Sequence, residues 1–164
     1  DWVIRAYEQN LAGEPGKVLE HCVIVLGPFM TQEAQREFRR RARKLRKLDI
    51  IVFDSHIELL MENATGIVAM GGYNTFCEIL SFDKRAILVP RETPRLEQRI
   101  RADYASDHGL VSMLLYEDQE NISLMIDSLL KLPQQPLPSS RGAQVLLNGL
   151  ENVNQRVLTI LDRH

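Results

Sequence analysis

The chain has 164 residues, a mass of 18.8 kDa and a formal net charge of -2, with 45% hydrophobic and 26% charged residues. This composition is typical of a globular protein, and the length suits one domain with a sizeable core. The near-neutral charge argues against a nucleic-acid-binding protein, and no apolar run reaches the ~18 residues of a membrane span. Two cysteines, Cys22 and Cys77, exclude a disulfide scaffold and indicate a reducing compartment, so we expect a cytoplasmic protein.

Strand and helix patterns alternate along the chain. A lead-in segment over residues 1–19 begins with a short predicted helix, and a Pro-rich turn over 133–140 precedes a C-terminal helix within 141–164. Between them, in the core at 20–132, apolar runs predict strands at 21–26, 50–53, 66–70, 85–90 and 110–116. Amphipathic patterns predict helices at 32–48, 57–63, 75–82, 95–107 and 121–132. The alternation predicts an α/β fold, with a doubly wound parallel sheet of about five or six strands and helices on both faces.

Ligands bind such sheets beyond the carboxyl ends of the strands, which draws attention to the residues that follow the third strand. Gly71 and Gly72 come directly after that strand and precede a helix. Glycines in this position let the backbone approach a phosphate, and the helix N-terminus offers N–H groups and a positive dipole end. Asn74 and Thr75 add donors, and the Glu78 carboxylate can accept hydrogen bonds from both hydroxyls of a ribose. The same residues also fit an ordinary turn with a solvated glutamate.

Two further loops follow predicted strands. After the fourth strand, Glu97 and Gln98 open a helix and can reach the hydroxyls of a sugar. Arg91, Arg95 and Arg99 in the same segment can face a diphosphate, although a polar first helical turn explains this pattern as well. After the first strand, Gly27 can line the floor of a phosphate site, or it can belong to an unremarkable loop.

Taken together, the residues Gly71-Gly72, Asn74-Thr75, Glu78, Glu97-Gln98, Ala102 and Gly109-Leu110 keep the order and spacing of one known family. Over about residues 20–130 the chain resembles the C-terminal domain of GT-B glycosyltransferases. The similarity is to the family-28 type, which includes the peptidoglycan N-acetylglucosaminyltransferase. This resemblance implies a Rossmann-like domain that binds a nucleotide-sugar donor, in this family a UDP-sugar.

The resemblance also implies a role for each position. Glu78 would hold the ribose, and the donor sugar would meet Glu97 and Gln98. The diphosphate would lie beside Gly72, Asn74 and Thr75. The segment Phe53-Asp54-Ser55 would stack near the nucleotide base, and Ile57 would lie against the nucleotide.

A GT-B glycosyltransferase also needs an N-terminal domain that binds the acceptor and commonly carries the catalytic base. We therefore expect this chain to be the C-terminal half of a longer enzyme, or a subunit with a partner chain, that is inactive by itself. We expect the nucleotide-sugar to be a substrate, with no separate cofactor. Two alternatives stay open: half of a nucleotide-sugar epimerase, and a non-catalytic nucleotide-binding or assembly module.

Basic residues concentrate in the predicted helix at residues 36–47. Because they are spread around the helix, a solvated outer face is the favoured interpretation. Weak attraction to anionic lipid is the alternative, which would place the protein at the inner face of the membrane. The four histidines are scattered and no pair has metal-ligand spacing, so we expect no metal site.

Overall fold

The computed structural model describes residues 1–11, 19–52 and 56–161. In chain order, the helices and strands of this part are α1 (Trp2–Leu11), β1 (Cys22–Leu26), α2 (Gln32–Ala42), β2 (Leu48–Val52), α3 (Ile57–Asn63), β3 (Gly66–Ala69), α4 (Tyr73–Ser81), β4 (Arg85–Leu88), α5 (Glu97–Asp107), β5 (Ser112–Met113), α6 (Ile122–Lys131) and α7 (Gly149–Leu161). Short 3-10 turns at Tyr116–Asp118, Leu132–Gln134, Pro138–Arg141 and Ala143–Leu146 complete it.

The predicted α/β class is confirmed, since five parallel strands alternate with helices. Their pairing differs from the expected continuous sheet. β1 and β2 form a two-stranded sheet, in which Cys22 lies opposite Leu48, and β3, β4 and β5 form a three-stranded sheet in that order. Gly66 of β3 lies opposite Arg85 of β4. The chain divides into two compact units, 1–63 with 114–135 and 64–113 with 136–164. That residues 1–164 act as one domain stays a prediction.

The first unit is organised around the β1–β2 pair and the helices α1, α2 and α6. Its core includes Ile4 and Tyr7 of α1, Ala42 of α2, Leu45, and Leu48 of β2. α1 packs against α6, and the indole N–H of Trp2 donates to the carbonyl of Asn121 over 3.2 Å. The described part of the predicted lead-in, which is α1 and Leu19, is therefore a structural part of this unit.

The second unit contains the three-stranded sheet and the helices α4, α5 and α7. Ile87 and Leu88 of β4 are fully buried, as is Ile79 of α4. Asp83, in the turn between them, has a positive φ of 51°. Its carboxylate accepts hydrogen bonds from the backbone N–H and the hydroxyl of Ser139, at 2.7 and 2.6 Å, and so anchors the segment that leads to α7.

Several predicted elements are longer than the observed ones, and three of them differ most. The helix expected over 32–48 ends at Ala42, where hydrogen bonds such as Leu45 N–H to the Ala42 carbonyl replace the α-helical pattern by tighter turns. The strand expected over 110–116 is only Ser112–Met113, because the Leu110 N–H bonds back to the preceding helix. The helix expected to begin at 141 begins at Gly149, since Gly142 takes a left-handed φ of 81° and interrupts it.

Candidate functional site

The turn between β3 and α4 requires a glycine. Gly71 has a φ of 74°, and a Cβ built on it would lie 3.2 Å from a methyl carbon of Leu88, which is fully buried. An L-residue side chain is therefore disfavoured both by the left-handed backbone and by the packed neighbour. The predicted tight turn at Gly71 is confirmed, and it brings the chain directly into α4.

The N-terminus of α4 is open. Gly72 is the N-cap with φ -54° and ψ 153°, and it makes no side-chain capping hydrogen bond. The first helical bond runs from the Phe76 N–H to the Gly72 carbonyl over 2.8 Å, so the N–H groups before it lack acceptors within the helix. Among the described residues, no atom outside the turn lies within 4 Å of a Cβ built on Gly72. This end of α4 can accept an anion.

The polar residues predicted on this helix lie on one side of it. Asn74 is exposed, while Thr75 and Glu78 are half-buried. Glu78 is four residues after Asn74 and three after Thr75, which are the spacings of neighbours on a helix surface. Within the part of the chain that the structure describes, the Glu78 carboxylate has no hydrogen bond or ion pair. It is therefore available to accept hydrogen bonds from a ligand.

The second predicted pair opens α5 as expected. Glu97 is the first helical residue and is exposed. Gln98 is half-buried, and its amide oxygen accepts a hydrogen bond from the backbone N–H of Arg91 over 3.1 Å. The Gln98 amide oxygen therefore helps to fix the loop after β4, and its NH₂ group remains available to a ligand.

Of the three arginines expected to face a diphosphate, Arg99 is engaged elsewhere. Its guanidinium bonds to Asp103 at 2.9 and 3.0 Å and also pairs with Glu92. The Asp103 carboxylate, together with Glu92, raises the pKa of Arg99. Because two carboxylates already neutralise the charge of Arg99, the structure does not support the expectation that this residue faces a diphosphate. Arg91 and Arg95 are exposed.

A different arginine borders the glycine turn. Arg101 of α5 donates from Nη1 to the Gly71 carbonyl over 2.7 Å, and its Cζ lies 5.5 Å from the centroid of the Tyr73 ring. Sequence reasoning missed this residue. The available signal was its position four residues after Glu97, which places both on one side of the helix.

The remaining predicted site residues lie in the first unit. Gly27 follows β1 and lies in an exposed turn. The Met30 N–H closes this turn by donating to the Gly27 carbonyl over 3.2 Å. Ile57 is half-buried at the start of α3. Asp54 and Ser55 lie outside the described residues, so the base-binding role expected for them stays a prediction.

The basic segment at 36–47 is partly neutralised within its own unit. Arg41 bonds to Glu8 and to Asp1, and Arg40 bonds to Glu37 at 2.7 Å. The Arg41 guanidinium lowers the pKa of Glu8. Cations without an ion pair to any described residue remain exposed along this segment, namely Arg36, Arg39, Arg43, Lys44, Arg46 and Lys47.

Neither cysteine has the surroundings of a nucleophile. Burial raises the pKa of the Cys22 thiol to about 11, although a hydrogen bond with Tyr7 opposes this shift. Cys77 is half-buried within α4. In the described ranges, no three His, Cys, Asp or Glu side chains are grouped as metal ligands. None of the helices described is both long enough and apolar enough to cross a membrane.

Comparison with known proteins supports the α/β fold class. No curated protein matches the chain. A family model does match, described as the glycosyltransferase family 28 C-terminal domain, and the match extends over residues 5–157. It includes both compact units and every predicted site residue. The chain therefore belongs to the glycosyltransferase family 28 C-terminal domain family, and it is a glycosyltransferase domain of the donor-binding type.

Proposed function

We propose that this chain binds a nucleoside diphosphate sugar, specifically a UDP-sugar, as the donor-binding part of an inverting GT-B glycosyltransferase. The observation that carries the proposal is the open N-terminus of α4. Gly71 forms the turn before this helix, and Gly72 is its N-cap and makes no side-chain capping bond. The Glu78 carboxylate within the helix has no hydrogen bond or ion pair to any described residue. Backbone N–H groups suit a diphosphate, and a free carboxylate suits the paired hydroxyls of a ribose.

The reaction follows from these assignments. An acceptor hydroxyl oxygen forms a bond to the anomeric carbon of the sugar while the bond from that carbon to the diphosphate oxygen breaks. The electron pair leaves with the nucleoside diphosphate, whose charge the N–H groups and dipole of α4 stabilise. A base in the acceptor-binding part takes the hydroxyl proton. No metal or other cofactor is required by this proposal.

Further residues complete the proposed donor site. Glu97 and the NH₂ group of Gln98 contact the sugar, while Asn74 and Thr75 border the diphosphate. For Asp54, Ser55 and Ile57 toward the base, and for Gly27 toward the phosphate, the support is the resemblance to family 28 alone, and these roles stay predictions. An N-terminal acceptor domain or partner chain supplies the remaining half of the active site.

Titration calorimetry of the 164-residue chain with UDP, ADP, GDP and CDP tests this proposal. We expect UDP to bind most tightly and a UDP-sugar to bind in competition with it. We also expect the chain alone to transfer no sugar. If no nucleoside diphosphate binds, the proposal is wrong, and robust transfer or epimerisation by the chain alone would contradict the division of labour proposed here.

We further propose that the enzyme works in the cytoplasm at the inner face of the membrane, with weak attraction of the basic segment at 36–47 to anionic lipid. The exposed cations without an ion pair to any described residue support this proposal. The chain should sediment with vesicles of phosphatidylglycerol at low salt, and less with phosphatidylcholine. Replacing Arg39, Arg43 and Arg46 by Gln should abolish that difference. Equal sedimentation of the unmodified chain and the variant with both lipids would contradict the proposed attraction to anionic lipid.

A further inference from the structure

Two contacts hold the guanidinium of Arg101 beside the turn at Gly71 and Gly72. It donates to the carbonyl of Gly71 and lies over the ring of Tyr73, the first residue of α4. Arg101 itself is half-buried, while the Tyr73 ring is largely exposed. A guanidinium has five N–H donors, and the Gly71 carbonyl accepts from only one of its nitrogens, Nη1. Donors therefore remain for a further acceptor.

The charge of Arg101 differs from that of its neighbour Arg99. Arg99 is paired with two carboxylates, whereas no carboxylate pairs with Arg101 among the residues that the structure describes. The N-terminal end of a helix is itself positive, so a cation fixed beside it is unfavourable without an anion. An anion bound at this turn would therefore stabilise both the Arg101 guanidinium and the positive N-terminal end of α4.

We propose that Arg101 binds the diphosphate of the donor and stabilises the negative charge that this group gains as it departs. This inference rests on the proposed function. As the bond between the anomeric carbon and the diphosphate oxygen breaks, its electron pair stays on that oxygen, and the remaining donors of Arg101 share this charge with the N–H groups of α4. Tyr73 keeps the guanidinium in place through its ring face.

The test compares Arg101→Gln and Arg101→Lys with the matched control Arg99→Gln, which removes a cation two residues earlier on the same helix. Each full-length chain is titrated with UDP and with uridine, followed by NMR so that weak binding is measurable. For Arg101→Gln we expect about a 10- to 150-fold loss of UDP affinity and no change for uridine, as for a lost charge-assisted hydrogen bond. The UDP affinity of Arg101→Lys should lie between those of the unmodified chain and Arg101→Gln, because an ammonium group keeps the charge but lacks the planar guanidinium with its several donors. Arg99→Gln should bind UDP within about two-fold of the unmodified chain.

Each result decides the matter. If Arg101→Gln binds UDP as tightly as the unmodified chain, or loses equal affinity for UDP and for uridine, the proposed role of Arg101 is wrong, while the proposed donor site still stands. If the unmodified chain binds no UDP, the proposed function fails as well, so the two failures are distinguishable. If Arg101→Gln does not fold, the Lys variant carries the test, and an unchanged ratio of UDP to uridine affinity in that variant would overturn the proposal.

Discussion

Gly71 and Gly72 are adjacent, yet alanine should impair a different property at each position: stability at Gly71 and ligand binding at Gly72. At Gly71 the left-handed backbone costs an alanine roughly 1–2 kcal/mol. The new Cβ would also lie 3.2 Å from a methyl carbon of Leu88, which is fully buried and has little room to move. Crowding of this kind in a core typically costs about 1–3 kcal/mol. We expect Gly71→Ala to lower the free energy of unfolding by about 2–5 kcal/mol, which is a fall in Tm of roughly 4–20 °C.

At Gly72 the backbone suits an alanine and the added Cβ points into open space. Glycine is only moderately better than alanine at an N-cap, so Gly72→Ala should cost about 1 kcal/mol or less. If a diphosphate approaches this turn, however, the methyl group pushes it away from the N–H groups of α4. Losing one hydrogen bond to a charged group would weaken UDP binding about 10- to 150-fold.

The assay measures Tm by circular dichroism and UDP affinity by calorimetry on both variants. We expect a lower Tm for Gly71→Ala, and for Gly72→Ala a nearly unchanged Tm with much weaker UDP binding. A Gly72→Ala variant that binds UDP like the unmodified chain would refute the placement of the diphosphate. An unchanged Tm for Gly71→Ala would refute the argument from backbone strain and contact with Leu88.

Glu78→Ala should weaken UDP binding about 10- to 150-fold with little change in Tm, and the loss should shrink for 2′-deoxyuridine diphosphate, because that ligand lacks one proposed partner. Equal losses for both ligands would exclude the ribose 2′-hydroxyl as the partner of Glu78. Gln98→Glu keeps an oxygen for the Arg91 N–H but removes the amide donors, so UDP-sugar affinity should fall roughly 2- to 12-fold relative to UDP affinity in paired titrations. An unchanged ratio would place the sugar elsewhere. Burial raises the pKa of Cys22 to about 11. The folded chain therefore holds this proton more tightly than the unfolded chain. Stability from this group is fully present below about pH 8.5 and is lost, by up to about 2–3 kcal/mol, as pH rises to about 11. When the free energy of unfolding is measured in urea against pH, Cys22→Ala should remove that part of the decline. Identical pH profiles for the variant and the unmodified chain would contradict this prediction.

The order of elements was predictable because each strand is a short apolar run and each helix has its own start and stop signals. The helix at Ile57–Asn63 has the predicted bounds. The glycine turn was also predictable, because glycine between a strand and a helix permits the positive φ that a tight turn there requires. Element ends were less predictable, because Gly142 and the tighter turns after Ala42 depend on contacts formed in the folded chain.

The α/β class, the parallel strands and the residues that follow them could therefore be predicted from the sequence, because hydrophobic period and turn chemistry are local properties. Which arginine borders the glycine turn could be learned only from the folded chain. Arg99 and Arg101 lie on the same helix and have the same charge, but Arg99 meets the carboxylates of Glu92 and Asp103 while Arg101 meets the Gly71 carbonyl and the Tyr73 ring. Residues two positions apart on a helix lie on different faces. The partners of Arg99 are near it in sequence, whereas the Gly71 carbonyl that Arg101 contacts is 30 residues away and is brought to it only by folding.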